Sequence, residues 1–384
     1  MVSWQSMIVI DCYMVADIIQ AVVQIARPDY VATRWRGTLL TMATGLVVSS
    51  FHILLASHLS WCEGVFATIH FFAFVPVLVG LFVLAPKQRA ADVFLNFTDV
   101  HGNWPDRSIA VLVGQVSNFF VMLGSDGVAH LAEEIEDAGI ILPRSMLYSY
   151  FVNAPLTVLM AAVFCFSVTS LPKALASPMP FVTVFHDVFQ ERDAAIAFSA
   201  VVLALVTMVA VSALAATSRQ IFAFARDKGL PYSDWLATID GRFDVPVNTI
   251  IITFLFTCCM SLINLGSKVA FEAMLSLATV ALMATYLISI GCVLLKRVRG
   301  EPLPPARWSL GRYGTAVNAI AVVHTAWSFF WAFWPSTSDV HSGTFNWSCV
   351  LFLIFLACAL LTYHLHAKHT YEGPASYITA REEE

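Results

Sequence analysis

Ten stretches of this chain are apolar over about 20 residues, the length that carries an α-helix across the hydrocarbon of a bilayer. They cover residues 6–26, 38–57, 65–85, 109–132, 146–171, 194–216, 247–265, 270–295, 315–334 and 347–363. Charges and turn formers fill the intervals, as in Arg27-Pro28-Asp29 and Ala85-Pro86-Lys87. In hydrocarbon each backbone N–H and C=O must be paired inside its own segment, so runs of this length read as helices. The pattern predicts an all-α integral membrane protein with ten crossings. The first run is read as a span and not as a signal peptide, because no positive residue precedes it. The segment 178–190, PMPFVTVFHDVFQ, is too short and too mixed to cross, and is expected as an amphipathic helix lying on the membrane surface.

Composition agrees. Of 384 residues, 58% are hydrophobic and 12% charged, where soluble domains run at about a quarter charged. With 29 Phe and 10 Trp, lipid has to be the solvent for much of the surface. A net charge of −5 argues against a nucleic-acid partner, which would want a clustered basic face. Seven of the eight cysteines fall inside apolar runs and Cys62 sits at the edge of one. No Cys-x-x-Cys or Cys/His zinc spacing occurs, so no metal, cofactor or disulfide framework is expected. No nucleophile and base stand in a pattern that suggests an enzyme.

An even number of crossings puts both ends on one side. In the second half Arg219, Arg226, Lys228, Arg242, Lys296, Arg297, Arg299, Arg307 and Arg312 share a side, which the positive-inside rule makes cytoplasmic. The sequons at Asn96 and Asn346 fall on the opposite side and are candidate glycosylation sites. The expected organisation is a transmembrane domain over 1–363 and a cytoplasmic tail over 364–384, in the plasma membrane.

Ionisable groups inside spans are costly and are functional candidates by default. They are Asp11, Asp17, His52, His70, Asp126, His130, Glu272 and His324. Glu272 lies near a span's outer end, and His52 and His324 also read as structural histidines. Asp11 and Asp17 are six apart, about 600° of helical rotation, so they point to opposed sides and at most one lines a cavity. The fourth run carries Gly124-Ser125-Asp126-Gly127 at its middle, a sequence that should break a helix. A break inside the bilayer exposes N–H groups from one half-helix and C=O groups from the other, as at the substrate sites of secondary transporters. A glycine-lined packing seam between helices is the alternative.

GSDGVAHLAEEIEDAGIILPRSM (124–146) resembles the sixth-span motif of permeases in the amino acid–polyamine–organocation superfamily. AATSRQIFAFARDKGLPYSDWLATID (215–240), DVPVN (244–248) and WCEGVFATIHFF (61–72) resemble further segments of the same family, most closely its fungal GABA and choline permeases. The resemblance implies a twelve-span fold of five-plus-five inverted repeats, with the ten runs as spans three to twelve and 109–132 as a discontinuous helix. The first two spans, including the family's other broken helix, have no counterpart, as expected of a shortened product. It further implies a substrate site at Gly124, Ser125, Asp126 and Gly127, with Phe120 as an aromatic gate. His70 would carry the coupling proton, since imidazole titrates near neutral pH; a core histidine bonded to backbone is the alternative. Ser212 and Thr217 would form the opposite wall of the family's cation site. Glu133, Glu134 and Arg144 would form a cytoplasmic gate, the acidic pair reading equally as solvated helix charge. The implied function is alternating-access transport of a small amine, such as an amino acid, GABA or choline, coupled to protons. A permease-like sensor or partner subunit without transport is the alternative. For choline, Phe120, Trp327 and Trp331 are candidates for an aromatic box, although Trp residues in such a chain also serve packing and lipid contact.

Overall fold

The computed structural model describes residues 1–96, 102–267 and 269–371, without the side chains of 270–272 and 275. Phe97 and Thr98 of the first sequon, the Glu272 side chain and most of the expected tail lie outside the described residues. In chain order the α-helices are α1 (Val2–Ala26), α2 (Arg34–Leu54), α3 (Leu59–Leu84), the short α4 (Ala90–Phe94), α5 (Arg107–Val121), α6 (Ala138–Ser167), the short α7 (Leu171–Ala176), α8 (Pro180–Phe189), α9 (Arg192–Arg226), the short α10 (Ser233–Leu236), α11 (Val247–Gly266), α12 (Ala270–Val298), α13 (Gly314–Trp331) and α14 (Ser348–Thr362). A 3-10 helix, Gly127–Glu134, lies between α5 and α6.

Among the described residues eight helical stretches are long and apolar enough to cross a membrane. They match eight of the ten runs. The other two become α5, 15 residues long and followed by a break, and α13, 18 residues long.

The middle of the molecule is α1. Fourteen of its 25 residues are buried, so it is surrounded rather than amphipathic. It packs on α2, α9, α11 and α12. Small residues on α9, among them Ala210, Ala213, Ala216 and Thr217, are buried at that contact and let the two backbones approach. Polar side chains lock the register. The Ser3 hydroxyl donates to the Ala278 carbonyl at 2.8 Å, Gln5 Nε2 to Thr253 Oγ1 at 3.0 Å, and the Tyr13 hydroxyl to Asn264 Oδ1 at 2.7 Å.

α3 and α6 are the opposite case, with a row of exposed Phe71, Phe72, Val75, Val79, Phe82 and Val83 on α3. Such surface fits acyl chains. The helix expected over 178–190 forms as α8, but its apolar face is spent on protein. Val182 is buried, Val184, Phe185, Val188 and Phe189 are buried in a cluster with Val77, Leu81 and Val163, and Phe189 stacks on Phe198 at 4.3 Å. A groove lined by α3, α6 and α9 covers more of this ten-residue helix than a lipid surface would.

Contacts among the loops fall into two groups. At one end Glu133 pairs with Arg226 and Glu134 with Arg219, Asp137 with Arg307, and Thr370 Oγ1 donates to the Lys228 carbonyl. At the other, Ser338 N–H donates to the Gly102 carbonyl at 2.7 Å, its hydroxyl to the Asn103 carbonyl, and Trp104 lies 5.8 Å from Trp334. Single cysteines at 228 and 307 are therefore expected to react with an impermeant maleimide from one side of the membrane, and those at 103 and 338 from the other. Labelling of 228 and 338 from the same side would refute this arrangement.

Candidate functional site

The break forms where the glycines predict it. Asp106 caps the start of α5, accepting the Ser108 N–H at 2.8 Å. The helix ends at Val121, and Gly124 takes φ +102°, a conformation L-residues avoid. The chain turns through 122–126, with Gly127 N–H donating to the Gly124 carbonyl and Ala129 N–H to that of Asp126, both at 2.9 Å. Among the described residues the N–H groups of Gly124, Ser125 and Asp126 have no hydrogen-bond partner.

Two cavities meet here, and a third shares residues with both. One of about 790 Å³ is bounded by Trp4 and Asp11 of α1, Glu63 of α3, Phe120 and Gly124 at the break, and Ser212 of α9. A second, of about 570 Å³, is lined by His70, Gly124, Ser125 and by Ser149 and Asn153 of α6. A third, of about 810 Å³, is lined by His70, Glu63 and Ser212. The structure thus brings Phe120, Gly124, Gly127 and Ser212 to one cavity and His70 with Gly124 and Ser125 to another.

Asp126 and Thr217 are placed differently. The Asp126 side chain is buried and turned to α1, accepting Trp4 Nε1–H at 3.3 Å. His130 Nε2 lies 3.8 Å from its carboxylate, and Tyr286 approaches the same group. Thr217 is fully buried and donates to the Ala213 and Trp4 carbonyls at 2.6 and 3.3 Å. Both hold α1 in place and neither lines the three cavities.

At the charged end, Arg226 grips Glu133 with both nitrogens at 2.6 and 2.7 Å, which holds the Glu133 carboxyl below its ordinary range. Arg219 pairs with Glu134 and also reaches His52 Nε2 at 3.3 Å. Arg144 is exposed and joins neither pair, so the arginines that meet the acidic pair come from α9. Trp327 and Trp331 pack on each other at 5.8 Å, but neither lines the cavity of Phe120. His324 meets Phe119 edge-on at 5.6 Å.

Glu63 is the residue sequence reasoning missed. The run was read from 65, whereas α3 starts at Leu59, so this carboxylate sits within the helix. Both its oxygens lie 2.8 Å from the Ser212 hydroxyl. The apolar residues Leu59, Trp61 and Cys62 upstream were the available signal. Asp11 and Asp17 do part company: Asp11 lines the 790 Å³ cavity, and Asp17 accepts from Gln20 Nε2 at 3.5 Å.

Of the sequon asparagines, Asn96 is exposed. Asn346 is committed to backbone, its Nδ2 donating to the Ala332 and Trp334 carbonyls at 2.9 and 3.0 Å and its Oδ1 accepting Ser348 N–H at 3.1 Å. A glycan at that nitrogen would displace these bonds. In glycosylating cells, Asn96→Gln is expected to remove any glycosidase-sensitive gel shift and Asn346→Gln to leave it intact; a shift lost only with Asn346 would contradict this geometry. Gly124→Ala has open space for its Cβ, but the backbone angle costs about 1–3 kcal/mol. It should lower the denaturation midpoint in detergent, while Gly114→Ala, also in open space but on helical α5, should not. Equal midpoints would show that the turn adapts.

A family model described as amino acid permease matches residues 1–355. An uncharacterized amino-acid permease of Schizosaccharomyces pombe is 28% identical over 324 residues, covering 83% of this chain and 59% of that protein. Amino-acid permease 2 of Neurospora crassa is 30% identical over 323 residues, covering 79% and 56%. Amino-acid permease BAT1 of Arabidopsis thaliana is 28% identical over 316 residues, covering 79% and 61%. The chain therefore spans less than two thirds of the length of these relatives. With a family match over most of its length and eight helices fit to cross a bilayer, this chain is an integral membrane protein that belongs to the amino acid permease family of the amino acid–polyamine–organocation superfamily.

Proposed function

We propose that the chain is a secondary transporter that moves a small zwitterionic or cationic amine, such as an amino acid, GABA or choline, by alternating access. The observation that carries this reading is the trio of unpartnered N–H groups at 124–126, set at mid-span where two cavities meet. In low dielectric such donors cost free energy unless something accepts from them, and a substrate carboxylate can do so at the positive end of the second half-helix. Gly124, Ser125 and Gly127 contribute backbone, Phe120 closes the cavity on one side, and Asp126 sets the position of the break through Trp4. The five-plus-five arrangement with ten crossings, over a transmembrane domain of 1–363, belongs to the same reading. So does a plasma-membrane location with the charged end and both termini in the cytoplasm. There the Glu133–Arg226 and Glu134–Arg219 pairs tie the second half-helix to α9 and would part when that end opens.

Coupling is assigned to protons, through His70. Its ring faces the cavity that holds Gly124 and Ser125, and it shares a third cavity with Glu63 and Ser212. A proton gained there alters the charge beside the substrate without changing the packing.

The test is uptake of labelled GABA, choline and neutral amino acids by proteoliposomes containing the purified chain under an imposed pH gradient. Uptake that collapses with a protonophore is expected, and no uptake of any of them would overturn the transport reading. His70→Ala should flatten the pH dependence of uptake more than it weakens binding. A folded His70→Ala protein with an unaltered pH profile would remove His70 from the coupling path.

A further inference from the structure

One face of α1 carries Trp4, Met7, Asp11 and Met14, spaced three and four apart, and all four line the 790 Å³ cavity. The charged residues around that cavity are Asp11, Glu63 and Glu134, with no lysine, arginine or histidine among its lining. Two of the three are answered: Glu134 by Arg219 and Glu63 by the Ser212 hydroxyl. Asp11 is not. Among the described residues its carboxylate takes no hydrogen bond and no ion pair. It also differs from Asp17 on the same helix, which has Gln20, and from Asp126, which has Trp4.

A carboxyl group inside a membrane protein takes up a proton unless a compensating charge or donor stands beside it and keeps it charged. No side chain around this cavity supplies one, and the space is of the size that encloses small organic ligands. Its wall includes the rings of Trp4 and Phe120, whose faces attract alkylammonium groups. We propose that this cavity is a site for a small organic cation and that Asp11 is the counter-ion of the ligand's ammonium group. The proposal rests on the transport reading above and names the charge its site selects. A quaternary or primary ammonium is held at Asp11, and where the ligand is a zwitterion its carboxylate meets the free N–H of Gly124 on the same wall. Uncharged molecules of the same shape gain the apolar contacts but leave Asp11 unanswered, so they bind more weakly.

Calorimetry on the detergent-purified chain tests this with choline, its uncharged carbon isostere 3,3-dimethylbutan-1-ol, and GABA. Choline and GABA are expected to bind, with the isostere at least about tenfold weaker. Asp11→Asn should weaken choline at least about tenfold and leave the isostere unchanged, Asp11→Glu should keep the preference for charge, and Asp17→Asn should behave as the unaltered chain. Equal affinity for choline and the isostere, an Asp11→Asn chain that binds choline normally, or no binding of choline at all would each overturn the proposal. If Asp11→Asn is not monodisperse, the comparison of choline with the isostere on the unaltered chain still decides. Asp11-dependent binding without uptake in proteoliposomes would fail the transport reading and keep this site. Uptake without any dependence on Asp11 would do the reverse.

Discussion

Trp4 is where the structure closes. Its indole N–H reaches Asp126 just before the 3-10 helix, and its ring lies where a Cβ on Gly127 would come within 3.0 Å. The ring also meets His130 edge-on at 5.5 Å, and its carbonyl accepts from Thr217 of α9. One residue thereby joins α1, the broken segment and α9. A side chain at 127 would crowd the far edge of the ring, which would have to give way by a few tenths of an ångström. The aspartate is needed because a buried indole N–H wants an acceptor.

That closure sets the electrostatics around it. Asp126 is turned towards protein and has partners, whereas Gly124 and Ser125 before it line cavities. Asp11 and Gly124 line the same cavity. At the charged end the opposite holds, since Glu133 and Glu134 are matched by arginines of α9. The Glu133–Arg226 pair is exposed and adds little to stability on its own, whereas Arg219 of the second pair is mostly covered; both hold two elements at one distance.

The unequal coverage of the helices follows from the same core. α1 is enclosed because its N-terminal half presents small and polar residues that bond across helix contacts, while α3 presents phenylalanines that lipid solvates equally well. α8 shows how local chemistry yields to the surroundings. Its amphipathic pattern suits a membrane surface, yet the groove beside α3 and α9 offers the apolar face a denser contact and takes it.

Hydrophobic runs and glycines were enough to determine the helical membrane class, the position of the break and the divergent placement of Asp11 and Asp17. Each of these depends only on local periodicity, on backbone cost in lipid or on rotation per residue, and those are properties of neighbouring residues. Membership of Glu63 in the helix is legible from Leu59, Trp61 and Cys62, since α3 begins six residues before the apolar run at 65. What no local pattern contains is which distant side chain answers which charge. That Asp126 faces Trp4, that Ser212 answers Glu63, that the acidic pair meets Arg219 and Arg226 rather than Arg144, and that Asp11 is left open were all decided by tertiary packing. In a low-dielectric interior a charge is settled by whatever group the neighbouring helices bring within hydrogen-bond reach, and here residues 85 to 149 positions away bring it.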